Sequence, residues 1–510
     1  MPSLAQPASP LAGNNRAPYQ RHQPEHTLLY QLVERHYPTF NTLMAKTGRP
    51  LPDIVQQEFD AYLKCGRLEH GFLRVQCSRC KHEDLVAFSC KKRGFCPSCG
   101  ARRMVEHAAL LVDEILPQAP YRQWVLSVPF QLRFLFASYP ELMGKALGIV
   151  YRTIATHLIH SAGHTHDTAR TGAITFIQRF GSALNLNVHF HMLFLDGVYV
   201  TSFDQHKQVF KQVNAPTKAT LQALVQCISE RLAKLLTRAG LLTQDDENAY
   251  LTLDQLEDNS LHHLHGYSIT YRVAVGPQQG KKVFTLQTIP AQAPEDDRFR
   301  QVGKVAGFSL HAAVSTQAHE RQKLERICCY IARPAVSEQR LSLTKNGNVR
   351  YQLKTPYRDG TTHVIFEPLD FMAKLAALVP KPRVNLTRYH GVFAPNSPYR
   401  ALITPAKRGK GAVKAVSTEP DDRTFMEKRA SMNWAQRLKR VFGIDIETCR
   451  HCQGPVKIIA CIEDPLIIEK ILKHLESKAQ KSQAELPLLP PARAPPEFGA
   501  GLFGEESYIH

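Results

Sequence analysis

Long apolar runs are what this sequence lacks most plainly. Stretches such as Met192–Leu195 and Ala108–Val112 fall far short of the ~18 residues needed to cross a bilayer, so no membrane span is expected. The opening residues MPSLAQPASPLAGNNRAPYQ place no compact apolar segment behind a basic start, which argues against a secretory signal and for a cytoplasmic protein. There is no GxxxxGK[ST] loop to cradle a nucleotide, and no self-similar repeat of roughly 20–50 residues. Acidic residues are scarce beside basic ones: 45 Asp plus Glu against 64 Lys plus Arg, a formal charge of +19. Such an excess favours a polyanionic partner, with nucleic acid ahead of a membrane surface. What is present is ordinary globular composition, 43% apolar and 21% charged over 510 residues, enough chain for two to four domains with real cores.

The twelve cysteines are not distributed like a disulfide framework, because five lie between Cys77 and Cys99. Cys77-Ser-Arg-Cys80 and Cys96-Pro-Ser-Cys99 are two tight pairs separated by fifteen residues, a spacing that predicts one structural Zn2+ held by Cys77, Cys80, Cys96 and Cys99. Cys65 and Cys90 are extras that could replace a ligand or stand behind one, and His82 is a weaker substitute. Around the second pair, Lys91, Lys92, Arg93, Arg102 and Arg103 meet no acid until Glu106. Contact with DNA or RNA phosphates is the natural use of such a collar, and a solvated basic face is the plain alternative. Near the other end, Cys449-Arg-His-Cys452 is followed by Cys461. One pair and a lone thiol fill a tetrahedral site only with help from His451 or another chain; otherwise this is a reduced turn.

Residues 1–25 and 481–510 are rich in Pro, Ala and Gln and read as tails, and 406–424 as a linker that is basic first and acidic last. Between them we expect a zinc-binding, DNA-binding domain over 26–118, a catalytic unit over 119–405 and a small cysteine-containing module over 425–480 that includes the basic segment Trp434–Phe442. Helical spacing runs over Thr27–Arg35 and Ile54–Leu63 and resumes at Met104, Ala108, Val112 and Ile115. At Trp124, Leu126 and Val128 the period changes to two until Pro129. A helix over about Glu141–Ile159 leads to two antiparallel strands within Gly172–Val200, then to a helix through Leu221, Val225, Ile228 and Leu232. Further strands are expected near Ser268–Val275 and Lys304–Ala313, and a helix over Ser315–Ile331 stopped by Pro334. The fold class is therefore α+β: a central antiparallel sheet with flanking helices, preceded by a helical zinc-binding domain.

His189-Phe190-His191 lies on the second strand of that pair. Alternation sends both imidazoles to one face, while Val188, Phe190, Met192 and Phe194 pack on the other. Two neutral ring nitrogens on a rigid strand make half a site for a divalent metal, although two core histidines would satisfy the same pattern. Gln178, at the hairpin end of the preceding strand, is a candidate third ligand, with Ile174 and Phe176 expected beside Leu193 and Leu195; His311 competes for that role. A metal that binds phosphate needs a nucleophile, and LERICCYIARP supplies Tyr330, with Arg326 one turn earlier on the same helix face and Arg333 just beyond. On its own, a tyrosine on an amphipathic helix is a packing residue.

Taken in order, FCPSCGARRM, RQWVLSVPFQLRF, FGSALNLNVHFHMLFLDGVY, GFSLHA, LERICCYIARP, LKTPYRDGTTH and RYHGVFAPNSPYR resemble the transposases of insertion-sequence-91-type and common-region elements, over about Leu28 to Leu475. The resemblance implies an HUH (His-hydrophobic-His) nuclease fold, cleavage and rejoining of single-stranded DNA, and a rolling-circle-like transposition pathway. Its histidine pair falls on His189 and His191 and its tyrosine on Tyr330, which would attack a phosphate polarised by Mg2+ or Mn2+ and leave a 5′-phosphotyrosine and a free 3′-hydroxyl. Some members carry histidine where this chain has Gln178, and some a second tyrosine where it has Arg326, so it resembles a single-tyrosine branch. The implied partners are element ends and target DNA, a host helicase and replication proteins, with a homo-oligomer compatible, no membrane, and a nucleoid-associated location. A plasmid replication initiator or relaxase would share this chemistry; a zinc-dependent regulator of duplex DNA, or a transposase with an acidic triad, would not.

Overall fold

The computed structural model describes residues 17–18, 23–201, 208–244, 249–251, 260–291, 302–407, 444–445 and 447–481. Trp434–Phe442, nearly all of both expected tails and all but the start of the 406–424 linker lie outside these residues. The described residues divide into two compact units, a smaller one that takes in 66–88 and 447–481 and a larger one that takes in 23–65 and the described residues of 89–407. This differs from the sequential division expected above. A hairpin from within the cysteine-rich region joins the C-terminal segment instead of the helices on either side of it.

The larger unit begins with α1 (Leu28–Lys46), whose Thr27 cap accepts from the Tyr30 amide at 3.3 Å, and α2 (Asp53–Lys64). After a segment whose hairpin belongs to the smaller unit comes α3 (Pro97–Leu110), with proline at its first position, where no amide hydrogen is missed. Then follow β1 (Tyr121–Ser127), α4 (Phe130–Ser138), α5 (Pro140–Ser161), β2 (Gly172–Phe180), β3 (Leu186–Leu195), α6 (Lys218–Arg238), α7 (Ser260–Ile269), β4 (Val302–Val305), β5 (Phe308–His311), α8 (Arg321–Ile331) and β6 (Thr387–Gly391).

The central sheet has the order β4-β5-β1-β3-β2-β6, antiparallel throughout, with Ser315–Thr316 also pairing β1. One face carries Trp124, Leu126, Val188, Phe190, Met192 and Phe194 into a core shared with α4, α5 and α6. Alternation turns Gln123, His189, His191 and Gln178 to the other face. A second antiparallel sheet, from Phe284–Gln287, Thr361–Phe366, Val349–Gln352 and Leu341–Leu343, contributes Tyr351, Val364 and Phe366 to a core with α1 and α2.

The α+β expectation holds, with local corrections. Ser268–Val275 is not a strand: α7 runs to Ile269, and the chain then turns through Tyr271, at φ +55°. Its alternating β-branched residues pack as the exit of a helix. Lys304–Ala313 is interrupted by Ala306 and Gly307, whose φ values of +47° and +79° make a tight hairpin of it. The helix expected from Ser315 starts at Arg321, because Ser315–Thr316 is taken by the sheet.

In the smaller unit, Phe72–Cys77 pairs with Glu83–Ala87 on one side and Val456–Ile462 on the other, and the helix Pro465–Lys481 follows.

Candidate metal and nucleic-acid sites

The thiolates group in an unexpected way. Cys77, Cys80, Cys96 and Cys99 do not converge; they belong to two quartets, Cys77/Cys80/Cys449/Cys452 in the smaller unit and Cys65/Cys90/Cys96/Cys99 in the larger, each with all Sγ atoms within 4.8 Å of one another. The cause lies in the strand pairing. The hairpin that carries Cys77 and Cys80 takes Val456–Ile462 on its free edge, and that pairing delivers Cys449 and Cys452. Cys96 and Cys99, in the first turn of α3, instead face Cys65 at the end of α2 and Cys90 in the intervening loop.

Both quartets fit zinc. Four thiolates about 2.3 Å from a tetrahedral ion lie about 3.8 Å apart. The Sγ separations are 3.7 Å for Cys65–Cys99, 3.4 Å for Cys90–Cys99, 3.8 Å for Cys65–Cys96, 3.4 Å for Cys77–Cys452 and 3.5 Å for Cys80–Cys449, far beyond disulfide length. The two pairs of the smaller unit are twin knuckles: Lys81 and Gln453, each just after its second cysteine, sit at φ +60°. The amides of Arg79 and His451 point at the first sulfur of their pair at 3.4 Å. Cys461 takes no part and lies 3.6 Å from the Glu463 carboxylate.

On the central sheet, Gln178 stands directly opposite His189. Phe176 stands opposite His191 rather than Leu195, while Ile174 meets Leu193 as expected. The two histidines are 2% and 1% exposed, with ring centroids 4.9 Å apart. His189 Nδ1 lies 2.9 Å from the Asn187 carbonyl, so it carries the proton and Nε2 is the basic nitrogen. His191 Nδ1 lies 2.8 Å from the side-chain amide of Gln123. The Gln123 oxygen is buried with no partner, and half a turn of the amide lets that oxygen accept from Nδ1–H. Both rings then have the same tautomer, with Nε2 as the ligand atom.

Among the described residues, no His, Cys, Asp or Glu brings a third ligand atom within 4.8 Å of both imidazoles. His311 pairs with Val125, which pairs with His191, so its backbone stands two strand spacings, about 10 Å, from that of His191. Gln178 remains. Its Nε2 donates to the Ile331 carbonyl at 2.6 Å, while its buried Oε1 has no partner. One amide thus offers an oxygen beside His189 and ties down the end of α8 next to Tyr330.

Tyr330 is 4% exposed. The Arg333 guanidinium and the Lys354 ammonium each lie 4.4 Å from its ring centroid. Arg326, one turn earlier, is half-buried. Arg321 anchors the start of α8 to the carbonyls of Val112, Leu116 and Pro117. At the other end, a Cβ on Gly100 of α3 would lie 2.6 Å from Pro334 Cβ. Only glycine lets the thiolate-bearing helix approach the end of the tyrosine helix this closely.

The basic collar is partly committed to structure. Arg102 pairs with Glu106 at 3.2 Å, Arg103 donates to the Lys91 and Lys92 carbonyls at 3.2 and 2.9 Å, and Arg93 donates to the Val384 carbonyl at 2.5 Å. Burial and Arg103 push the Arg93 pKa down. Burial holds the Glu58 carboxyl above its usual range while it accepts from the Gly94 amide at 2.5 Å. A zinc ion with four thiolates carries two negative charges, which this collar offsets. Sequence reasoning missed Gln123, Lys354 and Arg179. Gln123 was legible as the polar residue alternating with Trp124 and Leu126, whereas Lys354 and Arg179 needed the tertiary fold.

Sheet, helices and thiolate quartets define a zinc-binding α+β protein in which two histidines lie side by side on one face of the central sheet. Residues 32–128 match the family Transposase zinc-binding domain, and residues 172–400 match the family Putative transposase. The chain thus carries the zinc-binding and transposase domains of insertion-sequence-91-type transposases. No curated protein and no solved structure matches it. No helix among the described residues is long and apolar enough to cross a membrane.

Proposed function

We propose that the chain cleaves and rejoins single-stranded DNA through a 5′-phosphotyrosine on Tyr330, in rolling-circle-like transposition. The observation that carries this reading is the alignment on one sheet face: two imidazoles with Nδ1 engaged by the Asn187 carbonyl and the Gln123 side-chain amide, and opposite His189 an amide that also holds the end of the tyrosine helix. Two ring nitrogens and an amide oxygen suit a divalent ion such as Mg2+ or Mn2+ with positions left open. When bound there, the ion supplies Lewis-acid polarisation of a phosphate.

The residues of the chain do the rest. The Tyr330 oxygen bonds to phosphorus as the P–O3′ bond breaks, and the phenol's proton is balanced by protonation of the departing 3′-oxygen. Arg333 and Lys354 bring positive charge to the phosphate oxygens. In the reverse step a 3′-hydroxyl attacks the phosphotyrosine and Tyr330 recovers its proton, so no ATP is consumed, in keeping with the missing nucleotide loop. Because Arg326 stands where a second tyrosine would be, the second transfer falls to the freed 3′-hydroxyl, to Tyr330 of another subunit or to water. The enclosure of Tyr330 favours a single strand over a duplex as substrate, and Lys91, Lys92, Arg93, Arg102, Arg103, Arg326 and Arg333 supply backbone contacts. Strand unwinding is left to a host helicase.

Incubation with single-stranded oligonucleotides and Mg2+ or Mn2+ tests the reading on a denaturing gel. A protein-linked product that disappears in Tyr330→Phe supports it; cleavage without any linked product, or none at all, contradicts it.

A further inference from the structure

Arg179, next to Gln178 on β2, is 7% exposed and forms no ion pair among the described residues. Its one hydrogen bond is long, Nη2 to the Ala377 carbonyl at 3.4 Å, and its Nε has no acceptor. Its charged neighbour is another cation, Arg93. His265 is fully buried and kept neutral by burial and by the charges of Arg179, His262 and Lys381. A guanidinium out of water with neither carboxylate nor full hydrogen bonding is destabilising, because its lost hydration is not replaced. Burial and Arg93 lower its pKa only to about 10, so it stays charged at neutral pH.

Arg179 does not face a sealed interior. It lines a cleft of about 120 Å³ together with Gln178, Lys92, Arg93, Arg103 and Arg333, and no carboxylate lines it. Glu58, outside the cleft lining, interacts with Lys92, Arg93 and Arg103 and accepts from the Gly94 amide, but is no neighbour of Arg179. Such a volume has room for several waters, and so for one phosphate group. Arg179 directly follows Gln178 on β2, so alternation sends the two side chains to different sides of the strand and consecutive residues serve two sites.

We infer that this cleft is a phosphate subsite in which Arg179, with Arg93 and Arg103, binds the DNA phosphate adjacent to the one being cleaved. The guanidinium is an unfilled half of an ion pair, and the missing half arrives with the DNA. This rests on the proposed function for the carrier of the phosphate, but not for the presence of the anion site. It also gives the basic loop before α3 a purpose beyond offsetting thiolate charge: the thiolate quartet holds that loop over the strand bearing Gln178.

The test uses the full chain, with zinc content checked, as wild type, Arg179→Met and Arg179→Lys. Thermal melting is followed in phosphate-free buffer with and without inorganic pyrophosphate, and a single-stranded oligonucleotide is titrated at several salt concentrations. The inference expects Arg179→Met to melt at or above wild type without pyrophosphate, because an uncompensated buried charge is gone, and to lose the rise that pyrophosphate gives wild type. Oligonucleotide affinity should fall about tenfold and the salt slope by about 0.7, with Arg179→Lys in between. A melting point below wild type with the pyrophosphate response intact would mean that Arg179 is a structural strut, and a wild type indifferent to pyrophosphate would likewise overturn the subsite. If these shifts appear but no tyrosine adduct ever forms, the subsite stands and the proposed function fails. If adduct forms and Arg179→Met binds and cleaves as wild type does, the subsite fails alone.

Discussion

Changing Cys449 and Cys452 to serine should remove one of two bound zinc ions while leaving the other in place, although both residues are hundreds of positions from the cysteine-rich region. The two sites should also differ in strength. The smaller unit's site joins Cys80 to Cys449 across 369 residues, whereas the larger unit's joins Cys65 to Cys99 across 34. Closing a loop costs roughly (3/2)RT ln n, so the longer closure is dearer by about 2 kcal/mol, or some thirtyfold in metal affinity. That is an upper bound, since the pairing of Phe72–Cys77 with Val456–Ile462 carries part of the closure. Exposure acts in the same direction: Cys80 is exposed and Cys452 half-buried, whereas Cys65, Cys96 and Cys99 are buried. Titration with a chromophoric chelator should therefore release zinc in two equal steps, the first missing in the Cys449→Ser, Cys452→Ser protein. Elemental analysis should give two zinc ions per wild-type chain and one in this variant, and one again in Cys65→Ser. A single ion in wild type, or two retained without Cys449 and Cys452, would refute the grouping.

His189→Ala or His191→Ala should abolish cleavage with little loss of oligonucleotide binding, and Gln178→Ala should act in the same direction but more weakly, as gel assays beside binding isotherms would show. Gly100→Ala forces a Cβ to 2.6 Å from Pro334 Cβ, so it should cost about 1–3 kcal/mol in chemical denaturation and slow cleavage by displacing the end of α8. His390, stacked on Tyr151 and hydrogen-bonded to Thr175 at 3.1 Å, is pushed down to about 4 by burial. A base with a lowered folded-state pKa adds stability above its unfolded value and loses it as pH falls through the folded one. His390→Gln should thus flatten the stability loss between about pH 6.5 and 4, by up to about 3 kcal/mol relative to wild type.

Local chemistry in this chain could be read from its sequence wherever the partners were near neighbours. Alternation alone put His189 and His191 on one face, and the short turn between the strands put Gln178 opposite the histidine end. The thiolate grouping could not be read in the same way. Cys80 and Cys96 are close in sequence, but their partners are chosen by strand pairing with a segment near the other end of the chain, which periodicity does not reveal. Ser268–Val275 shows a related failure, because β-branched alternation was outweighed by the packing of α7. Arg179 reads as an ordinary polar residue of a hairpin, and only burial without a counter-charge marks it out.

The most direct test of the central claim is mass spectrometry of the covalent adduct trapped with a single-stranded oligonucleotide. The account predicts one nucleotide-bearing peptide, containing Tyr330 linked to a 5′-phosphate, in wild type and none in Tyr330→Phe. An adduct on Tyr351, Tyr357, Tyr389 or Tyr399, or one that persists in Tyr330→Phe, would contradict it.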